Sequence, residues 1–347
     1  MSHSLVNRLH PSNKGPISLS GARGSAAAFY VAQLASQSQS NVIICDSRNE
    51  AEQLECDLEF FSNKIKIALL PAWDSLPFEA VSPQLEIQAE RLAAFELLMS
   101  DQPHIIVTTS EALIQRSLPI SSLLALSIDL SVGSSLSHKE INQKLTAAGY
   151  QTASIVENIG DFAVHGEVID LLPFNSQNGV RLLFGEPLGS PEATIKEILL
   201  FNLESQRTVQ SIDRIKILPV KEILPYASGL NAHSSTDFNL DKLKNRGKAI
   251  GVPPREIARI SSAIKHDQQI PGIELYQLLI ANQTQALLEG LPKATRIYAL
   301  NLLGISQAID SFSELIKERT DRLLEDHQLI PEVLTSYCDT QETLTSL

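Results

Sequence analysis

Cysteine is scarce and unpatterned: Cys45, Cys56 and Cys338 are the only three in 347 residues, with no CxxC or Cys/His spacing. That excludes a disulfide framework or a zinc module and points to a reduced, cytoplasmic setting. Aromatics make up only 5% of the chain, with one Trp, so stacking platforms for single-stranded nucleic acid have little material. Positive charge is in deficit as well. Against 40 Asp plus Glu stand 28 Lys plus Arg, a formal charge of −12, too acidic for generic coating of DNA. No run approaches the roughly 20 apolar residues of a membrane span, and the opening MSHSLVNRLHPSN has no apolar signal core. A soluble protein with no membrane partner is expected. The eight histidines include no i, i+4 pair, and GxSxG, HExxH and EF-hand patterns are missing. Neither a metal nor a catalytic centre is expected.

What is present is apolar material, 43% of residues, enough for full cores. At roughly 100 to 200 residues per domain the length implies two or three domains. From residue 17 short apolar runs alternate with helical patterns: ISLS (17–20), then 24–37; NVIIC (41–45), then 49–61; IKIALL (65–70), then 84–100; HIIVTT (104–109), then 110–117. Strand, helix, strand, helix with runs apolar on both faces predicts a doubly wound parallel sheet. Asp46 or Ser47 can cap the second helix, and Thr109 or Ser110 the fourth.

The texture changes near Leu126. Candidate strands then follow closely at 151–156, 161–172, 180–184, 195–201 and 212–218, which predicts an antiparallel sheet with one or two helices. Beyond 219, helical periodicity recurs at 255–266, 276–289 and 304–325, after a polar loop at 227–239. The reading is an α/β domain over 1–126, an inserted α+β domain over 127–215, and a return to the first unit with a tail over 216–347.

The first apolar run leads into Gly21-Ala22-Arg23-Gly24-Ser25-Ala26-Ala27-Ala28, the place for a phosphate-binding loop. Such a loop needs backbone N–H groups around the phosphates, a Lys against the β and γ oxygens and a Ser or Thr on Mg²⁺. Here the final glycine, lysine and hydroxyl positions are Ala26, Ala27 and Ala28. No acidic pair follows HIIVTTSEAL (104–113), where Glu111 comes only after two threonines. A degenerate nucleotide loop and no cofactor are expected. Residues alone stop at a non-enzymatic, multidomain binding protein.

Several segments together resemble the N-terminal part of the bacterial transcription-repair coupling factors, the Mfd family, whose first third is homologous to UvrB. They are GARGSAAAFYVAQLA (21–35), LLPAWDSLPFEAVSPQLEIQAERLAAFELL (69–98), DFAVHGEVIDLLPF (161–174), VRLLF (180–184), ESQRT (204–208), ILPVKEI (217–223) and PGIELYQLL (271–279), in the family's order. The resemblance implies a UvrB-like architecture: a degenerate helicase-like, P-loop-type parallel-sheet domain with an inserted small α+β domain. It implies a non-catalytic module that recruits UvrA to stalled RNA polymerase in nucleotide excision repair. The family's polymerase-binding, translocase and C-terminal regions do not fit in 347 residues, which implies an N-terminal fragment or a truncated relative. RNA polymerase and DNA would be reached only through those regions. Two rival expectations are an intramolecular scaffold packed on the coupling factor's C-terminal regions, and a cryptic helicase-like NTPase.

The docking surface carries over position by position. In the shared motif F-x-V-R-G-x-x-x-D-x-x-P this chain has Phe162, Val164, His165, Gly166, Asp170 and Pro173, so the family arginine is His165. In R-[IL]-x-F-F, Arg181 matches the arginine and Phe184 the first aromatic, while Gly185 stands at the second. Arg181, His165, Phe184 and Gly185 are the expected partner-binding positions. Trp73 is expected to be structural, and Gly166, Asp170 and Pro173 to shape the domain.

Overall fold

A computed structural model of the chain describes residues 24–35, 39–62, 65–76, 81–136, 138–174, 176–185, 194–224 and 238–325, with Tyr337 and Thr343. Strands β1 (Ser40–Cys45), β2 (Lys66–Leu70) and β3 (His104–Thr109) pair in parallel, β3 lying between the other two. Every residue of β1 and β3 is buried, as strands covered on both faces require. Their alternation sorts the side chains. Val42, Ile44 and Ile106 face a cluster built with Leu92, Phe95 and Leu98 of helix Leu85–Leu98. Ile43, Cys45, Ile105 and Val107 face the other side, against helices Ser25–Ala35 and Arg48–Phe61. The layer is therefore doubly wound. Ser47 and Thr109 cap as expected, accepting from the N–H groups of Glu50 and Ala112. The expected strand at 17–20 lies outside the described residues.

A two-residue strand β4 (Arg116–Ser117) follows, and then β5 (Ile128–Ser131). Helix His138–Ala147 leads into a six-stranded sheet of β6 (Gln151–Thr152), β7 (Asp161–His165), β8 (Val168–Leu171), β9 (Gly179–Phe184), β10 (Ile195–Phe201) and β11 (Thr208–Ile212). The order runs β11-β10-β9-β8-β7-β6, antiparallel except for β6 with β7. One face carries Phe162, Ile169, Val180, Leu182 and Ile198, which pack with Ile141 and Leu145 of the helix. Strand β12 (Arg214–Ile217) then pairs antiparallel with β5, so the chain leaves this sheet beside the point where it entered.

Three strand expectations are corrected. The run 161–172 is a hairpin: His165 pairs with Val168, and Gly166, at φ +59°, occupies the first of two turn positions. A positive φ at that position is what a type II′ turn demands, and glycine supplies it. Residues 208–211, outside the expected strands, join Ile212 in edge strand β11, and only 151–152 of the 151–156 run are strand.

Helices Leu240–Ala249, Pro254–Lys265 and Ile273–Ile280 share a core of Leu243, Ile260, Ile264 and Ile280. Helical periodicity over 276–289 breaks after Ile280, because β13 (Gln285–Ala286) pairs with β4. Strand β14 (Arg296–Ala299), which the sequence pattern did not predict, adds in parallel to the free edge of β1. Helix Leu302–Glu325 then buries Ile305 and Ile309 in the first cluster. A polar junction ties these parts together. Trp73 Nε1 donates to Glu222 at 2.9 Å, Gln88 accepts from the Glu222 N–H at 2.9 Å, and Ser82 donates to Glu274 at 2.8 Å. Trp73 is thus structural, 8% exposed and bonded inward.

Candidate protein-interaction surface

Period-two alternation puts Ala163, His165, Val168, Asp170, Arg181, Leu183 and Leu199 on the sheet face opposite the helix. Arg181 and Asp170 are direct neighbours across β9 and β8. The guanidinium donates twice to the carboxylate, Nε to Oδ1 at 2.8 Å and Nη2 to Oδ2 at 2.7 Å. It also lies over the Phe201 ring, 4.7 Å from the centroid. Hydrogen bonding to Asp170 raises the Arg181 pKa above its already high value, so the group is a permanent cation. With 24% of its side chain exposed against 10% for Asp170, Arg181 is a fixed charge set into the sheet. Half-exposed Val168, Leu183 and Leu199 surround it. A cation held in one orientation loses little freedom when a partner's carboxylate meets its remaining donors.

The other expected positions divide. His165 is exposed at the hairpin end, on the same face as Arg181. Phe184 is corrected to a core residue: it is 4% exposed and packs in the cluster on the helix side. Adjacent strand residues point to opposite faces, so Phe184 turns inward where Arg181 and Leu183 turn outward. Gly185 is half-buried, and a Cβ there would stand 2.0 Å from Lys196 Cε. The exposed Lys196 stem occupies the space that a side chain at 185 would take. Pro173 is buried and Gly166 is at the turn. The loop before β11 is closed by Asn202, which accepts from Ser205, while Gln206 Nε2 donates to the Leu203 carbonyl. Arg207 is exposed beside it.

Sequence reading missed two members of this face. From sequence alone Asp170 reads as a residue that shapes the domain, and nothing in the pattern marks Phe201. The signal for both was the strand register, which a one-dimensional pattern does not give. Gly179 belongs with them: a Cβ at Gly179 would meet the Phe201 ring at 2.2 Å, so the glycine makes room for the ring under Arg181.

At the head of helix Ser25–Ala35, Gly24 has φ +53° and its carbonyl accepts from the Ala27 N–H at 3.1 Å. Ser25 and Ala26 are exposed, Ala27 is half-buried, and Ala28 is 0% exposed against the sheet. Gly21 lies outside the described residues. Among the described residues no three His, Cys, Asp or Glu side chains are grouped to hold a metal ion. No helix there is long and apolar enough to cross a membrane.

The model of the UvrB interaction domain family matches residues 128–223, the segment that contains the entire six-stranded sheet. Over 314 residues the chain is 26% identical to the transcription-repair-coupling factor of Myxococcus xanthus, covering 85% of this chain and 25% of that protein. Over most of its length the chain is similar to transcription-repair-coupling factors. It is 27% identical over 271 residues to the coupling factor of Haemophilus influenzae and 28% over 200 residues to that of Escherichia coli, covering 78% and 57% of this chain. It spans a quarter or less of the length of these relatives, 25%, 22% and 17%.

Proposed function

We propose that this chain is the UvrB-homology module of a transcription-repair coupling factor, a non-catalytic adaptor that binds UvrA through the outer face of β7 to β10. Through regions outside these 347 residues it would bring UvrA to RNA polymerase stalled at damaged DNA. The observation that carries this reading is the Arg181 guanidinium, held by Asp170 and Phe201 on the open face of a sheet that matches the UvrB interaction domain. Partially desolvated arginines beside apolar neighbours are the residues that dominate interface energies, at about 2 kcal/mol or more each. The working units of the proposal are a degenerate helicase-like domain over 1–126, the docking domain over 127–215 and the return over 216–347. Alanines at 26–28, the last of them a core methyl, support a module without nucleotide chemistry.

The test is calorimetric titration of the chain with UvrA from the same organism. Binding in the micromolar range or tighter, weakened at least tenfold by Arg181→Glu, is the expected result. If neither protein binds, the recruiter reading fails. A second reading, an intramolecular scaffold seated on the coupling factor's own C-terminal regions, draws on Gly185, where the Lys196 stem covers the position of a family aromatic. Binding of an isolated C-terminal domain, with none to UvrA, selects it.

A further inference from the structure

On the helix-covered side of the six-stranded sheet, away from Arg181, an open cleft of about 1150 Å³ separates helix His138–Ala147 from the end of helix Pro254–Lys265. It sits where the sheet domain meets the helical region, a common location for binding sites. The chain builds it deliberately. Gly149, at φ +91°, ends the first helix, and the Val220 N–H donates to the Ala148 carbonyl at 2.8 Å, which brings Lys221 alongside. A Cβ at Gly149 would stand 3.0 Å from Lys221 Cβ and Cγ, so the lysine stem lies against bare backbone. On the far wall Asp267, at φ +50°, closes helix Pro254–Lys265, and the Gln268 N–H returns to the Ala263 carbonyl at 2.8 Å. That closure sets Gln268 at the cleft.

Lys221 is the notable group. The residue is 9% exposed, it lines the cleft, and its ammonium makes no hydrogen bond or ion pair with a described residue. Glu274 acts on it only through space, and the Glu274 oxygens are taken by Ser82 and Gln88. Burial lowers the Lys221 pKa, as it does for an amine lacking a counter-ion. Lys139 and Lys144 stand at the rim, exposed, on the helix above. Glu140 and Asp267 also border the cleft, and each is already engaged within the protein. The floor is apolar, formed by half-buried Ile223 beside the more deeply buried Ile264 and Ile273, and the exposed Gln151 and Gln268 offer side-chain amides on opposite walls.

We propose that this cleft binds an extended acidic peptide, whose carboxylate pairs with Lys221 while its aliphatic side chains cover the isoleucine floor. The volume is too large for a lone oxyanion. Side-chain amides match a peptide backbone, and Lys139, Lys144 and Lys221 against Glu140 and Asp267 leave the lining net positive in a chain of net charge −12. The site is independent of the Arg181 face.

The test is anisotropy of a labelled peptide of alternating Glu and Leu, titrated with the full 347-residue chain. Micromolar binding that weakens with added salt is expected. Lys221→Met, which keeps the stem, should weaken it about tenfold, Lys139→Glu with Lys144→Glu should do the same, and Arg181→Glu should leave it unchanged. Equal binding of a Lys-and-Leu peptide, undiminished binding by Lys221→Met, or no binding at millimolar peptide would overturn the proposal. Displacement of the peptide by ATP at comparable concentration would also overturn it, in favour of a general oxyanion site.

Discussion

Arg91 and Glu222, 131 residues apart, form an ion pair at 2.5 Å with side chains 2% and 1% exposed. Arg91 further donates to the Pro71 carbonyl at 2.6 Å, and its guanidinium lies 5.8 Å from the Trp73 ring and 5.5 Å from the Phe95 ring. Glu222 lies five residues beyond the end of β12, so the pair ties the chain leaving the six-stranded-sheet region to the helix that covers the parallel sheet. Two charges at this depth are tolerated because each nitrogen of the guanidinium and each oxygen of the carboxylate has a hydrogen-bond partner.

Removing one partner strands the other. Glu222→Gln is expected to lower stability by about 3 kcal/mol or more, whereas Arg91→Met with Glu222→Leu should cost less than the single change. Urea unfolding followed by Trp73 fluorescence measures both. The sole tryptophan donates to Glu222, so its emission should shift in the folded single variant. A double variant less stable than Glu222→Gln would remove the argument.

The second prediction concerns how Arg181 is held. Gly179→Ala forces the Phe201 ring to move, because the new Cβ would meet it at 2.2 Å, and a loss of about 1 to 3 kcal/mol is expected from overpacking. Asp170→Asn keeps the shape and removes the charge-assisted bonds, at a cost of about 1.5 to 3 kcal/mol. Both should weaken UvrA binding with the Arg181 side chain intact, chiefly through faster dissociation. Unchanged dissociation in both variants would show that the orientation of Arg181 is irrelevant.

A third follows from His104. The residue is 1% exposed, its ring nitrogens reach Gln102 O at 2.8 Å and Ser40 Oγ at 3.0 Å, and burial lowers its pKa below 6.5. The unfolded chain therefore takes up the proton first as pH falls. Stability is full above about 6.5 and declines below it, by up to about 1.4 kcal/mol per pH unit from this group. Denaturation at pH 7.5 and pH 5.5 should show a larger difference for the natural chain than for His104→Gln. Equal differences would assign the acid sensitivity elsewhere.

Cysteine reactivity gives a fourth. Cys56 is exposed, whereas Cys45 is buried in β1 and its thiol is pushed up to about 12, first by burial and then by Glu50 and Asp46. The thiolate is the reactive form. Maleimide with peptide mapping should modify Cys56 in the folded protein within minutes and Cys45 only in denaturant. Equal rates at the two would contradict the packing of β1.

Much of this architecture was legible one dimension at a time. NVIIC and HIIVTT announce buried parallel strands because their apolar runs have no polar alternation, and Ser47 and Thr109 mark helix starts by cap chemistry. β14 was hidden. RIYA is four residues long, half-buried, and gains its strand character from β1, a partner 255 residues earlier. The hairpin at Gly166 was signalled by a glycine between two apolar runs, a mark overridden by the continuity of the flanking residues. At the candidate site Arg181 was legible through resemblance, whereas the inward turn of Phe184 and the grip of Asp170 needed the register.

The edge position of β14 has a consequence for synthesis on the ribosome. Ser40 hydrogen-bonds Thr295 across 255 residues, so the parallel sheet stays one strand short until the region holding the six-stranded sheet has been made and threaded out. At about 5 to 20 residues per second that wait is on the order of 10 to 50 seconds. The six-stranded sheet, whose pairings are mostly between neighbours in sequence, is free to form in that interval. The unfinished edge of β1 then faces solvent while translation continues. A nascent chain arrested before residue 296 should be recognised by chaperones as an open sheet, and one arrested well beyond it should not.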